Sequence, residues 1–125
     1  MATHTSLPIY KEAYALLSLA ADLVKDMPRD FKGSFGRKIH EECIEILVLI
    51  ARANAAKEKV PYIEALLERL QVTELLIRLG RDKQFISTKR YAAAVQVTTQ
   101  IGKQAGGWKN YAAARPLRDG QGHHA

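Results

Sequence analysis

The sequence predicts an all-α fold, an antiparallel up-down-up-down four-helix bundle. Three short segments interrupt the chain, at Pro28–Gly36, Lys57–Pro61 and Gly80–Ser87. The stretches between them run for about 19 to 26 residues without proline, and short connections of this kind favour antiparallel neighbours. Apolar residues recur there every three or four positions, the spacing of one helix face, and no segment alternates as a strand does.

The first two helices are predicted from their apolar faces and from the residues that begin and end them. Helix one runs from about Pro8, a residue suited to a first helical turn, to Met27, and Pro28 ends it. Helix two begins near Ser34, which is placed as its N-cap. The core-facing residues predicted for these helices are Ile9, Ala13, Leu16, Ala20, Leu23 and Met27, followed by Ile39, Ile46 and Ala53.

The last two helices complete the predicted bundle. Helix three begins at Pro61, has Glu64 near its positive end, and stops where Gly80 is expected to form a left-handed cap. Helix four begins after Ser87 and continues towards Tyr111. At about 30 Å each, the four helices have matching lengths. The predicted core faces are Ile63, Leu66, Leu67, Leu70, Ile77 and Leu79, followed by Ala94, Val95, Thr98, Ile101, Ala105 and Trp108.

Length and composition predict a single domain. The chain has 125 residues, and two separate cores of half that size would each be marginal. The bundle is assigned to residues 1–114 and a disordered tail to residues 115–125, so His123 and His124 are interpreted as tail residues rather than metal ligands. Cys43 is the only cysteine, which excludes an internal disulfide. Without a secretory signal, the expected location is cytoplasmic.

The second predicted helix is apolar nearly all round between Cys43 and Ala51. This run is too short to span a membrane, which takes about 20 residues. Two explanations stay open: the helix contacts both neighbours inside the bundle, or its outer face contacts another subunit. We favour the second, because exposing several large aliphatic side chains would forgo several kcal/mol at about 25 cal/mol per Å². The predicted homo-oligomer interface consists of Ile46, Leu47, Leu49 and Ile50.

Catalytic and metal-binding patterns are incomplete in this sequence. His40 and Glu41 begin the zinc-protease pattern H-E-x-x-H, but Ile44 stands where the second histidine is required. The Glu-x-x-His pairs of di-iron bundles and the glycine-rich phosphate-binding patterns are also absent from the sequence. We therefore expect no enzymatic activity, no metal and no cofactor.

The net charge of +6 comes entirely from the chain after Asp82, because residues 1–82 contain twelve Lys/Arg and twelve Asp/Glu. One interpretation is a solvated surface that keeps the protein soluble. The other is a site for the phosphate backbone of a nucleic acid, with little sequence discrimination. Aromatic residues make up only 7% of the chain, which gives little indication of base stacking. The candidate nucleic-acid-binding residues are Arg81, Lys83, Lys89, Arg90, Lys103 and Lys109.

Three segments of the sequence form a recognisable set of motifs: MPRDFKGSFGRKI at Met27–Ile39, IRLGRDKQFISTKRY at Ile77–Tyr91 and IGKQAGGW at Ile101–Trp108. Together they resemble the accessory variability determinant (Avd) proteins of diversity-generating retroelements. The last segment is the most specific of the three. The chain is also similar to four-helix-bundle proteins encoded in ribosomal RNA intervening sequences.

This resemblance implies a homopentameric barrel of four-helix bundles that binds a reverse transcriptase together with RNA and possibly DNA. Such a protein supports mutagenic copying of a template RNA into cDNA without catalysing a reaction. Arg78 matches the position of a basic family residue linked to polymerase association, and it is the predicted polymerase-binding residue. The alternative is a standalone RNA-binding bundle of the intervening-sequence type, with no polymerase partner.

Overall fold

The computed structural model describes residues 3–115, which form four long helices and no strand. We number these helices α1 (Pro8–Lys25), α2 (Arg37–Ala55), α3 (Val60–Asp82) and α4 (Thr88–Ala114). A 3-10 turn at His4–Ser6 precedes α1. The prediction of an all-helical fold is confirmed for this part of the chain. Apart from Arg115, the predicted tail lies outside the described residues, as do His123 and His124.

The four helices surround one core, and each packs against two others: α1 against α2 and α4, and α3 against α2 and α4. Large side chains from every helix fill this core without exposure to solvent, and those completely inaccessible include Leu16, Ile39, Ile46, Ile50, Ile63, Leu66 and Ile101. Close packing of this kind supplies most of the stability of helices in proteins. No helix within the described range has the length and apolar character needed to cross a membrane.

The connection between α1 and α2 is more helical than the sequence predicted. Arg29–Phe31 form a helical turn and Lys32–Gly36 a π-helical turn that leads directly into α2. Ser34 therefore lies inside a helical segment, and its prediction as an N-cap is wrong. A Cβ atom at Gly36 would lie 2.8 Å from Cγ1 of Val24, so the glycine permits the close approach of this turn to α1.

The end of α3 also differs from the prediction. Gly80 is not a left-handed cap; it is buried within the helix, which continues to Asp82. The left-handed residue is Gln84, with φ of 64°. The N–H of Gln84 donates to the carbonyl of Arg81 (2.9 Å), and that of Phe85 donates to the carbonyl of Gly80 (2.7 Å). This pair of bonds is a Schellman motif, which turns the chain towards α4.

Polar side chains define two other helix ends. The hydroxyl of Ser87 accepts a hydrogen bond from the backbone N–H of Arg90 (3.1 Å), which confirms the predicted start of α4. At the end of α2, the ammonium group of Lys59 donates to the carbonyls of Ala53, Asn54 and Ala56 at 3.1, 2.9 and 2.9 Å. One lysine thus donates to three carbonyls at the end of the helix, where backbone acceptors lack the full set of intrahelical partners.

A buried carboxylate joins α2 to α3. Glu42 is 4% exposed, and both of its oxygens accept hydrogen bonds from Nη1 of Arg69, at 3.2 and 3.1 Å. Lys38, one helical turn before Glu42, lies 3.1 Å from the same carboxylate. Because a buried charge without partners is costly, these contacts fix the register between the two helices.

The apolar surface of α2 divides into a core face and an outer stripe. Ile46 and Ile50 are completely buried and Leu49 is 6% exposed within the single chain. The structure therefore moves these three residues from the predicted subunit interface to the bundle core, because α2 contacts both α1 and α3. Leu47 is only partly buried. With Ile44, Val48 and Ala51 it forms a partly exposed stripe, since residues three and four apart share a helix face.

Candidate nucleic-acid interface

Aromatic side chains bring two connections together at one end of the bundle. The ring of Phe85, from the α3–α4 connection, stacks on Phe31 with a centroid distance of 4.2 Å. It also meets Phe35 edge to face at 5.7 Å. Both partners belong to the turns that precede α2. The α1–α2 and α3–α4 connections therefore share one end, which we call the basic end and define as residues 22–38 and 78–90.

The basic end contains ten Lys/Arg and four Asp/Glu, so its net charge is +6. The remainder of the chain contains nine of each and is neutral. A count along the sequence places the excess of positive charge after Asp82. The fold instead concentrates this positive charge at the basic end, where two segments that are distant in sequence meet. Localised positive charge of this size favours a polyanionic partner.

Two of the predicted nucleic-acid-binding residues are held in place by acidic neighbours. Nη2 of Arg81 lies 2.9 Å from Oδ1 of Asp82, and this hydrogen bond raises the pKa of Arg81. The same guanidinium lies 4.3 Å from the centroid of Tyr91. Nη2 of Arg90 lies 2.9 Å from Oδ2 of Asp26, which links the start of α4 to the end of α1. Both arginines therefore have guanidinium donors that are already engaged.

Lys83 and Lys89 are the predicted residues most available to a ligand. Both are exposed, and neither forms an ion pair within residues 3–115. Arg78, the predicted polymerase-binding residue, is likewise exposed and unpaired within that range. It lines a shallow groove of about 260 Å³ between α3 and α4, together with Leu75 and Tyr91.

The structure separates Lys103 and Lys109 from the other candidates. Both follow Lys89 on α4, at about 20 and 30 Å along the helix axis. Lys103 is exposed on the same polar flank as Gln96. Lys109 pairs with Glu64 of α3 at 3.4 Å. These two residues do not belong to the basic end.

The sequence interpretation missed the part of the basic end that comes from the first connection. Arg29 and Lys32 are exposed beside Phe31, yet acidic residues elsewhere cancel their charge in a linear count. The signal that could have found them was the unusual density of aromatic and basic residues between positions 29 and 38. Without the contact to Phe85, nothing in the sequence joins that segment to the α3–α4 connection.

Cys43, the only cysteine of the sequence, is not accessible to a ligand. Cys43 is completely buried in α2, and burial, followed by the nearby Glu42 carboxylate, raises the pKa of its thiol to about 12. It is therefore protonated at neutral pH. Within the described residues, no three His, Cys, Asp or Glu side chains are grouped so that they could hold a metal ion.

A family model of bAvd-like proteins matches residues 7–112. The chain belongs to the bAvd-like family. The bAvd-like region runs from just before α1 into the last turn of α4, so it includes the whole basic end. Comparison with curated proteins and with solved structures gave no match.

Proposed function

We propose that this bAvd-like protein is a non-enzymatic accessory subunit of a diversity-generating retroelement, and that it binds reverse transcriptase together with template RNA or cDNA in the cytoplasm. The observation that carries the proposal is the basic end, in a chain whose family is that of such accessory proteins. Holding RNA beside a polymerase requires charge and shape rather than a reactive group.

The nucleic acid is proposed to bind through its phosphates. Lys83 and Lys89 are free to neutralise phosphate groups and release their counterions, which gives strong salt dependence and weak sequence preference. Arg81 and Arg90 support the positive potential of the same surface. Lys103 and Lys109 act, in this proposal, as a second and weaker contact for a longer strand that follows α4.

The reverse transcriptase is proposed to contact the groove around Arg78. Leu75 is 66% exposed and Val95 is 37% exposed, so the groove combines apolar surface with the guanidinium of Arg78 and the carboxylate of Glu74. Surfaces of this composition are typical of protein interfaces, where arginine and apolar side chains provide much of the binding energy.

Self-association, with a homopentamer as the expected state and an up-down-up-down order within each subunit, is also part of the proposal. The outer stripe of α2, Ile44, Leu47, Val48 and Ala51, is partly exposed. Contact of this stripe with a different surface of the next subunit is head-to-tail, and such contacts form a closed ring when the rotation between subunits closes.

Reconstitution with a reverse transcriptase encoded next to template and variable repeats in the same genome tests this function. We expect the three components to co-purify, and cDNA synthesis to fall when this protein is omitted. Arg78→Ala should abolish association with the polymerase while weakening RNA binding only slightly, because nine other Lys/Arg of the basic end remain, and the matched Arg52→Ala, at an exposed arginine of α2, should change neither. RNA binding without any effect on the polymerase would instead establish the standalone RNA-binding alternative.

A further inference from the structure

We propose that the exposed face of Phe31 is a stacking platform for one unpaired base of a single-stranded nucleic acid. This inference rests on the proposed function, because it assumes that the basic end contacts nucleic acid. It adds a base-binding site to a surface that otherwise contributes only charge.

The aromatic cluster covers the ring of Phe31 only in part. Phe31 and Phe85 stack with 26° between their planes, so Phe85 covers one face of Phe31. Phe31 is nevertheless 39% exposed, so surface that Phe85 does not cover is open to solvent. Phe35 meets Phe85 edge to face and so packs against the same cluster. The ring of Phe31 is thus packed on one face and accessible from solvent.

The charges around the ring match a strand that carries a phosphate on each side of the stacked base. Arg29 and Lys32 flank Phe31 in the chain, and Lys83 precedes Phe85 by two residues; all three are exposed. Of the neighbouring acids, Asp82 and Asp26 are paired with Arg81 and Arg90. Asp22 and Asp30 are the two acids of the basic end that form no ion pair within residues 3–115. Cations therefore exceed unpaired acids at the platform.

An unpaired base is the chemical group that fits this site. In a duplex, both faces of each base are covered by its stacked neighbours, whereas the bases of a single strand can separate and stack on an aromatic side chain. RNA and DNA present the same aromatic face, so the geometry predicts binding of either strand. A role limited to shielding Phe85 from water would be filled equally well by an aliphatic side chain.

Fluorescence of 2-aminopurine in short single-stranded oligonucleotides tests the platform, because this base analogue is quenched when it stacks. The full chain would be titrated into RNA and DNA versions of one sequence, at several salt concentrations. Phe31→Leu keeps an apolar side chain against Phe85 but removes the aromatic face. Phe31→Trp keeps an aromatic face and makes it larger. Tyr14→Leu removes an exposed aromatic residue from α1 and is the matched control.

We expect wild-type protein and Phe31→Trp to quench the fluorescence, and Phe31→Leu to lose the quenching and bind about tenfold more weakly. The salt dependence of Phe31→Leu should equal that of wild type, because no phosphate contact is removed. Tyr14→Leu should behave as wild type. Quenching with only one of the two strands would contradict recognition through the base face alone, because RNA and DNA share that face.

Three outcomes would overturn the inference, and the first two separate it from the proposed function. If wild-type protein binds both strands with strong salt dependence but Phe31→Leu has unchanged affinity and quenching, the platform is wrong and the phosphate-binding surface stands. If wild-type protein binds neither strand at low salt, the proposed function fails and the platform with it. Loss of binding by both Phe31→Leu and Phe31→Trp, with unchanged melting temperatures, would also contradict base stacking.

Discussion

Single polar side chains close helix ends that would otherwise leave backbone groups unpaired. Lys59 donates to three carbonyls at the end of α2, and its positive charge also interacts favourably with the negative end of the helix. It lies four residues beyond Ala55, the last residue of that helix. The side chain of Lys59 contacts these carbonyls because residues 56–59 fold back towards the helix. The cap therefore depends on the conformation of the connection rather than on the sequence of α2.

Replacing Lys59 by methionine should lower the free energy of unfolding by about 1–2 kcal/mol, because the side chain keeps its length but loses the donated hydrogen bonds. Lys57→Met is the control, since Lys57 is exposed in the same connection and forms none of these bonds. Urea denaturation followed by circular dichroism measures the difference. Equal stabilities for the two variants would show that the cap does not stabilise the fold.

Gln84 is the second residue whose backbone role is measurable. Its left-handed conformation costs a non-glycine residue about 1 kcal/mol. Gln84→Gly should therefore raise the free energy of unfolding by about 0.5–1 kcal/mol, part of the gain being offset by the greater freedom of glycine in the unfolded chain. Gln71→Gly, at an exposed position inside α3, should lower it by a similar amount. The same sign of change at both sites would contradict the assignment of the turn.

Prediction from the sequence succeeded at this scale where the signal was local. Ser87 caps α4 as predicted, because the cap and the N–H that it accepts are three residues apart. Gly80 was misassigned because glycine is required there for a tertiary reason. The chain after α3 folds back over it, and no local pattern reveals that contact.

At the level of the elements, the α3–α4 connection packs onto the helix that it leaves. A Cβ atom at Gly80 would lie 2.5 Å from Cδ1 of Ile86 and 3.2 Å from Cε2 of Phe35. Ile86 is 3% exposed, so it has little room to move away. The glycine therefore allows both connections at the basic end to pack closely against α3.

Gly80→Ala should destabilise the protein by about 1–3 kcal/mol through overpacking. Ile86→Val removes the atom with the closest approach and should itself cost about 1 kcal/mol. The double variant should be more stable than the sum of the two losses predicts, which a thermodynamic cycle measures. Strict additivity of the two changes would mean that the contact does not limit packing.

The helices themselves were predictable because each carries a long apolar stripe, and the confirmed residues include Leu16, Ile39, Leu66 and Ile101. The sequence did not predict which apolar residues of α2 face the core and which face outwards. When nearly every residue of a helix is apolar, the pattern does not distinguish Ile46, which is buried, from Leu47, which is partly exposed. The positions of the neighbouring helices decide which of these side chains are buried.

For the whole molecule, self-association is proposed through apolar surface that one subunit leaves uncovered. Leu47→Glu should reduce the mass measured by light scattering to that of a 13.9 kDa monomer, because Leu47 lies in the outer stripe of α2 and a charge there opposes burial in an interface. Arg52→Glu, an exposed residue of α2 outside that stripe, is the control. Circular dichroism should show both variants folded. A monomeric wild-type protein would contradict the proposed assembly.

The distribution of charge over the whole molecule was the property hardest to predict from the sequence. Its basic end combines residues that are about 50 positions apart, and its net charge equals that of the entire chain. Lys83 and Lys89 were identified from the sequence, while Phe31 and Lys32 became part of the same surface only through the packing of Phe85.

The salt dependence of single-stranded RNA binding tests this central claim most directly. Lys83→Gln with Lys89→Gln should weaken binding and reduce the slope of log affinity against log salt by about 1.4, since each phosphate contact on a single strand contributes about 0.7. Lys11→Gln with Lys57→Gln removes the same charge from exposed sites outside the basic end, and should leave the slope nearly unchanged. Equal effects of the two double variants would contradict a localised site and leave the positive charge as a general property of the surface.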